Sequence, residues 1–307
     1  MNIKKTFFAV LILCALTGCN NDKKNDNAGV STDVQTEKTS AVTTELTLVD
    51  FTNEEKSSVK EQTDTPSDET GDATEKKIFN CTAIKIDADA DCFEMTDIYR
   101  AAYTDGKTKG YTPVIVVVDD ILNEQVETAY KSAGSADEYI STILSNDHSA
   151  GKQMLDNTYE ELQKEYSDFL SMDDDIIDEW MTDYTEHGIY LPFANEFDGE
   201  IYLLQVPTKK PYEVFAWVPF GGWNYCPNTD EMIAVCKYWY DEYWVLPAII
   251  TYDSLYMYLY EPITDMETAK SIAKEQSMFC IDVAGMGGME GYVWMTLYSH
   301  VWDFWWD

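Results

Sequence analysis

Five consecutive residues, Val114 to Val118 (VIVVV), constrain this chain more than any others. All are β-branched, none alternates with a polar residue, and a strand built from them has no face to give to water. Such a strand sits inside a sheet covered on both sides, which makes an α/β layering the natural solution. Pro113 introduces the run, and Asp119 and Asp120 behind it are suited to capping a helix.

The other elements are read around that strand. Phe79–Ile86 and Glu200–Val206 read as strands, and Thr96 as the cap of a helix reaching about Ala102, with Gly106 and Gly110 as punctuation. From Ala136 to about Tyr184 the chain reads as helical and strongly acidic, with Leu155, Tyr159, Leu162, Tyr166 and Phe169 or Leu170 at helical spacing. A second apolar stretch, Tyr212 to Pro227 (YEVFAWVPFGGWNYCP), reads as a strand over Tyr212–Val218, ended by Pro219 and followed by a glycine turn. Asn228 with Glu231 then forms a capping box for a helix over Thr229–Tyr243, whose Met232, Val235, Cys236, Trp239 and Tyr243 share one face. Leu246–Thr251 and Leu255–Tyr260 read as a hairpin joined through Tyr252, Asp253 and Ser254. Thr264 with Glu267 reads as a second capping box, Gly285–Gly288 as a loose segment, Tyr292–Tyr298 as a helix and Val301–Trp306 as a closing strand. The expected architecture is a single α/β (or α+β) domain, with a mixed central sheet flanked by helices.

The first 77 residues have a different character. Lys4 and Lys5 precede an apolar run from Phe7 to Leu16, too short to span a bilayer but suited to the core of a signal peptide. Leu16, Thr17, Gly18 and Cys19 resemble the lipobox of bacterial lipoproteins, so residues 1–18 read as a signal peptide and Cys19 as the lipid attachment site. Residues 19–77 hold Phe51 as their one aromatic, with 7 lysines against 14 acidic residues between 20 and 77. That composition cannot offset chain entropy by burying apolar surface, and reads as a disordered tether spanning about 40–45 Å. A lipid-anchored protein on the extracytoplasmic face of the cell membrane is expected, with the folded domain at 78–307.

From residue 80 onward, 12 basic residues face 42 acidic ones. Nucleic acid binding depends on neutralising phosphates with Lys and Arg, so this balance argues against it. A protein partner with a basic surface is the complement such a surface suits. No histidine-based metal spacing, HExxH, GxSxG, P-loop or CxxC is present, and neither a metal nor a cofactor is expected, nor is a catalytic residue assigned. Asp87, Asp89 and Asp91 mimic the start of a calcium loop, but Cys92 and Ile98 occupy the positions that need Gly and Glu. Cys81, Cys92, Cys226, Cys236 and Cys280 read as small buried hydrophobes, with Cys226, near a helix N-terminus, the one thiol that has a reason to be activated.

The FGGWN-x-CP block, the aromatic helix KYWYDEYW, FCID at 279–282 and the terminal W-x-FWWD occur in order. In these motifs the chain resembles the bacterial domain of unknown function 4253 family, over Phe93–Asp307. It departs from the family pattern at Trp244, where glycine is usual, and at Ile281, where proline is usual. The resemblance implies a domain boundary and no mechanism.

Three function classes follow. A non-catalytic protein-binding module, of which an immunity-like protein would be one form, fits the missing catalytic constellation. A glycan-binding or glycan-hydrolysing surface protein fits nine tryptophans, all from Trp180 onward, with Glu213 and Asp307 as a carboxylate pair. A thiol enzyme using Cys226 is the third. The candidate binding residues are Gly221, Gly222, Trp223, Asn224, Cys226, Trp305 and Asp307, on the expectation that the glycine loop and the closing strand meet in one aromatic and acidic pocket. Free N–H groups at a helix start would favour an anion there, but a glycine pair at a strand end is ordinary turn chemistry, and a tight turn that lets an aromatic core close is the preferred reading.

Overall fold

The computed structural model describes residues 76–165, 172, 191–192 and 194–306. The expected signal peptide, Cys19 and the tether lie outside the described residues, as do Tyr166, Phe169, Leu170, His187 and Asp307. Seven strands form one sheet: β1 (Lys77–Ile78), β2 (Cys81–Lys85), β3 (Thr112–Val118), β4 (Glu200–Val206), β5 (Leu246–Ile250), β6 (Ser254–Tyr258) and β7 (Val301–Trp305). Their spatial order is β1-β2-β4-β3-β5-β6-β7. β3 and β5 run parallel, with Ile115 opposite Ile249 and Val116 opposite Ile250, while the other neighbouring pairs are antiparallel. The sheet is therefore mixed and the fold α/β.

The unbroken apolar run on β3 is buried on both faces, as its sequence requires. Ile115 and Val117 pack with Ile201, Leu203 and Ile249 under helix α1 (Cys92–Lys109), which presents Met95, Tyr99, Ala102 and Tyr103. Val114 and Val116 face the opposite layer, where α2 (Asp120–Ala133), α3 (Ala136–Ser145), α4 (Gly151–Glu165), α5 (Thr229–Tyr243) and α6 (Met266–Phe279) lie. Helix α7 (Ile281–Thr296) packs on α6 and leads to β7. The aromatic centre of this second layer is Trp239 of α5. Its ring meets Phe279 at 4.9 Å, Trp302 at 5.4 Å and Phe304 at 5.6 Å.

Several expectations from sequence need correction. Tyr212–Val218 is no strand: Pro211–Ala216 is a 3₁₀ helix, begun by Pro211, whose fixed φ suits a first helical position. Val214, Phe215, Ala216 and Val218 are fully buried, and a run apolar on every side carries no period from which to choose strand or helix. Helix α1 starts ten residues before Ala102 and ends well past it. Asp91 caps it by accepting from the Phe93 and Glu94 amides, leaving Thr96 inside, where its hydroxyl donates to the Cys92 carbonyl. The helix passes through Gly106, where a Cβ would lie 2.4 Å from the Tyr111 carbonyl oxygen, and stops at Gly110 with φ +85°. The acidic helix beginning at Ala136 breaks after Ser145 and restarts at Gly151, whose missing side chain lets α4 approach the Ala234 carbonyl of α5. Asp265, not Thr264, caps α6. Gly285–Gly288 lies within the backbone of α7, not in a loose segment. Phe79 and Asn80, with φ of +49° and +61°, form the turn from β1 into β2 and shorten the expected strand.

Candidate functional site

Two parallel strands end side by side, and the chain beyond each builds one wall of a groove. After β3, Asp119 caps α2 by accepting from the Leu122 amide. Ile121, Glu124, Gln125, Thr128 and Ala129 follow at helical spacing along one side of α2. After β5, Thr251–Asp253 turn into β6, held by Thr251 N–H to the Ser254 carbonyl at 3.0 Å. Space outside the carboxyl ends of sheet strands is where ligands of open α/β folds bind.

The FGGWN loop closes the groove. Gly221 and Gly222 have φ of +85° and +87°, and a Cβ on Gly221 would lie 1.8 Å from the Pro227 carbonyl oxygen, so that position admits glycine alone. The Gly222 N–H points inward, to the carbonyls of Cys226 (3.2 Å) and Pro227 (3.1 Å). At the start of α5, Asn228 Oδ1 takes the Asp230 and Glu231 amides, and Glu231 accepts from the Asn228 N–H. These donors are engaged within the protein and two acidic side chains stand in that first turn, so they form no anion site, and the glycine pair makes a tight turn instead. The loop instead presents Trp223, whose ring lies edge-on to Phe220 at 5.2 Å.

The closing strand reaches the same place. Trp306 meets Phe220 at 5.6 Å and Phe279 at 5.4 Å, and its backbone N–H donates to the Asp253 carbonyl at 3.0 Å. Trp305 donates its indole N–H to Asp253 Oδ2 at 3.0 Å. Oδ1 of the same carboxylate accepts the Thr251 and Ser254 hydroxyls, each at 2.9 Å. Beside Asp253, the Tyr252 phenol is held above its ordinary pKa chiefly by that carboxylate's charge.

The groove has two parts that share lining residues. A cleft of about 430 Å³ lies between α2, Tyr139, Phe220, Gly221, Trp223, Asn228 and Thr229, and a cavity of about 220 Å³ lies between Gln125, Trp223, Tyr252, Asp253, Trp305 and Trp306. Gln125 and Trp223 line both. Of the residues singled out from sequence, Gly221, Trp223 and Trp305 line this groove. Gly222 is exposed and braces the loop, and Asn224 is exposed with φ +46° at the loop tip. Cys226 is buried against the underside of the loop, its Sγ close to Gly221.

Sequence reading missed Gln125, Asp253 and Trp306 as groove residues. Asp253 was legible as a turn residue and Trp306 as core, while nothing local to α2 announces that Gln125 sits 127 positions from the Tyr252 carbonyl to which it donates.

The remaining candidate groups are engaged elsewhere. Glu213 accepts from the Thr208 hydroxyl at 2.5 Å and from Lys210 Nζ at 2.8 Å, an arrangement that ties down the turn ahead of the 3₁₀ helix. Cys81, Cys92, Cys226, Cys236 and Cys280 are all buried and form no disulfide. Burial pushes the Cys81 thiol up to about 12 and raises Cys236 as well, the opposite of what a nucleophile needs. Asp87 turns back to the Asp89 amide and Asp91 caps α1, so the DADAD run has local structural work. Among the described residues no His, Cys, Asp and Glu group is arranged to hold a metal ion, and no helix is long and apolar enough to cross a membrane.

Residues 202–307 match the family described as "Domain of unknown function (DUF4253)". That span, shorter than the resemblance read from Phe93 onward, takes in the FGGWN loop, α5 and β7, while the α2 wall of the groove lies before it. No curated protein and no solved structure matches the chain.

Proposed function

We propose that this chain is a membrane-tethered, non-catalytic binding module that captures a segment of a basic partner protein in the groove between α2 and the FGGWN loop. One observation carries the reading: three separate parts of the chain, α2, the loop at 220–223 and the end of β7, converge on one aromatic-walled groove outside the ends of β3 and β5. The groove is apolar at its base, and Glu124 at its side continues the acidic surface of a domain with a large excess of carboxylates. An apolar floor with an acidic margin suits a protein segment that brings apolar side chains flanked by Lys or Arg. The thiol reading loses its basis in the burial of Cys226, and the glycosidase pair loses Glu213 to its contacts with Thr208 and Lys210. The membrane tether rests on the lipobox ending at Cys19.

The test is site-specific photo-crosslinking in the native cell, with a benzophenone side chain at Ile121 on the groove margin or at Ile84 on β2, each 49% exposed. A discrete adduct to a basic protein is expected from Ile121 and not from Ile84. It should vanish with Trp223→Ala while the melting temperature stays within about 2–4 °C, the shift expected for about 1 kcal/mol in a domain of this size. Adducts that are equal at both positions, or that survive Trp223→Ala, overturn the partner site. Cys19→Ala should move the protein out of the membrane fraction, and an unchanged fraction would sink the tether.

A further inference from the structure

The end of the sheet away from the groove carries a different chemistry. β3 and β5 begin there, at Thr112 and Leu246, opposite Val206 of β4 and Tyr258 of β6. A line of rings crosses this end from one helical layer to the other. Tyr260 lies 5.7 Å from Tyr103 of α1, the phenols of Tyr103 and Tyr240 share a hydrogen bond, and Tyr240 meets Tyr212 at 5.8 Å and Trp244 at 5.3 Å. Trp244 and Tyr260 are exposed. Cations lie over three of the rings: Lys107 Nζ is 4.6 Å from the Tyr103 centroid, the Arg100 guanidinium 5.5 Å from Tyr260, and Lys237 Nζ 5.7 Å from Tyr212.

Basic charge gathers at the same end. Arg100, Lys107, Lys109, Lys209, Lys210 and Lys237 are half of the 12 bases that follow residue 80. Asp105, Glu213 and Asp241 pair with Lys109, Lys210 and Lys237, and Glu242 and Glu261 flank the rings in sequence. Bases and acids therefore nearly balance here, in a domain where 12 bases face 42 acids. Exposed Trp and Tyr, apolar in body and polar at the tip, with Lys and Arg beside them, are the side chains enriched where membrane meets water. On the tether reading, the chain from Cys19 spans about 40–45 Å as a coil. The seven residues of β3 separate the two ends of the sheet by about 20 Å, so the anchor lets either end face the lipid. Anionic headgroups repel the acidic remainder of the domain and leave the near-neutral end to approach them. We infer that this end is a bilayer-facing surface, with Trp244 in the headgroup layer and Arg100 and Lys107 directed to lipid phosphates, so that the groove opens away from the membrane. This goes beyond the partner groove and rests on the tether alone.

The test reconstitutes the lipidated full-length protein in vesicles of phosphatidylethanolamine and phosphatidylglycerol, and reads tryptophan emission against lipid brominated at the headgroup end of its acyl chains. Brominated lipid should quench part of the emission. Trp244→Phe, a change at an exposed ring, should remove most of that quenching, while Trp223→Phe in the groove leaves it unchanged. Replacing two exposed bases together, Arg100→Glu with Lys107→Glu, should lower the quenching by at least about half. Protein that floats with the vesicles but is not quenched overturns the inference and leaves the tether standing; protein that does not float removes the tether and the inference with it. Quenching that survives Trp244→Phe, or that is lost in Trp223→Phe, overturns the orientation. So does a benzophenone at position 244 that yields a discrete protein adduct in cells in place of lipid adducts, which would make this end a protein-binding face.

Discussion

Asp303 stands opposite Tyr256 across the last two strands, with Oδ1 closed to solvent and without a hydrogen-bond donor among the described residues. Burial, then the negative fields of Glu196 and Asp253, pushes its carboxyl up to about 7. The Tyr256 phenol beside it is raised in turn, first by the Asp303 charge. A carboxyl with a raised folded-state pKa holds its proton in the fold at pH values where the unfolded chain has released it. Its favourable contribution is therefore complete below the unfolded value near 4 and is lost as pH climbs to about 7. Asp303→Asn keeps the shape and removes the titration. It should raise the melting temperature relative to the parent at about pH 8 and change it little at about pH 4. A variant that shifts the melting temperature equally at both values would show that the carboxyl titrates alike in the folded and unfolded protein. Trp244 shows the opposite kind of residue-scale tension. It ends α5 in the left-handed region at φ +57°, a conformation that favours glycine, and stays 67% exposed with its ring edge-on to Tyr240 at 5.3 Å.

At the scale of elements, β7 is an edge strand whose two sides do different jobs. Trp302, Phe304 and Trp306 enter the large core, where Phe304 lies 5.0 Å from Phe279 and stacks on Trp239, while Asp303 and Trp305 face the other way. Truncating a fully buried aromatic creates a cavity as well as losing transfer energy, so Phe304→Ala should lower the unfolding free energy by about 3–5 kcal/mol in a urea titration. A loss under about 1 kcal/mol would mean that the terminus is only loosely docked. This strand was legible because period-two alternation of apolar and mixed residues survives to the end of the chain. The capping boxes and stripes were legible for a similar reason: Asn228 and Glu231, or Met232, Val235, Cys236 and Trp239, express a helix within a few positions of one another. Legibility failed where local signals were silent or doubled. Val214 to Val218 are apolar at every position, so the 3₁₀ helix there left no period, and Asp91 competed with Thr96 for the same cap. The groove was half legible. The FGGWN loop and closing strand announced themselves by composition, but their meeting with Gln125 of α2 is a product of strand order, which no short segment encodes.

For the whole molecule, charge is the dominant long-range term. The chain carries a formal net charge of −35 at pH 7. The ion pairs among the described residues are mostly local and solvated, as Lys131 with Glu127 and Lys109 with Asp105 illustrate, and such pairs contribute little, about 0–1 kcal/mol each. They cannot balance 42 carboxylates against 12 bases after residue 80, so the fold is held together against its own repulsion. Salt shortens the reach of that repulsion, from about 30 Å at 0.01 M ionic strength to about 8 Å at 0.15 M. Raising sodium chloride across this range should therefore raise the melting temperature of the protein. The same screening should slow capture of the proposed basic partner, because attraction between opposite surfaces accelerates encounter and is lost as salt rises. Stability and association rate thus move in opposite directions with one variable. A melting temperature that falls with salt would show that the surface ion pairs outweigh the repulsion. An association rate that does not fall would remove charge complementarity from the case for a basic partner, while leaving the aromatic groove to be judged by its own test.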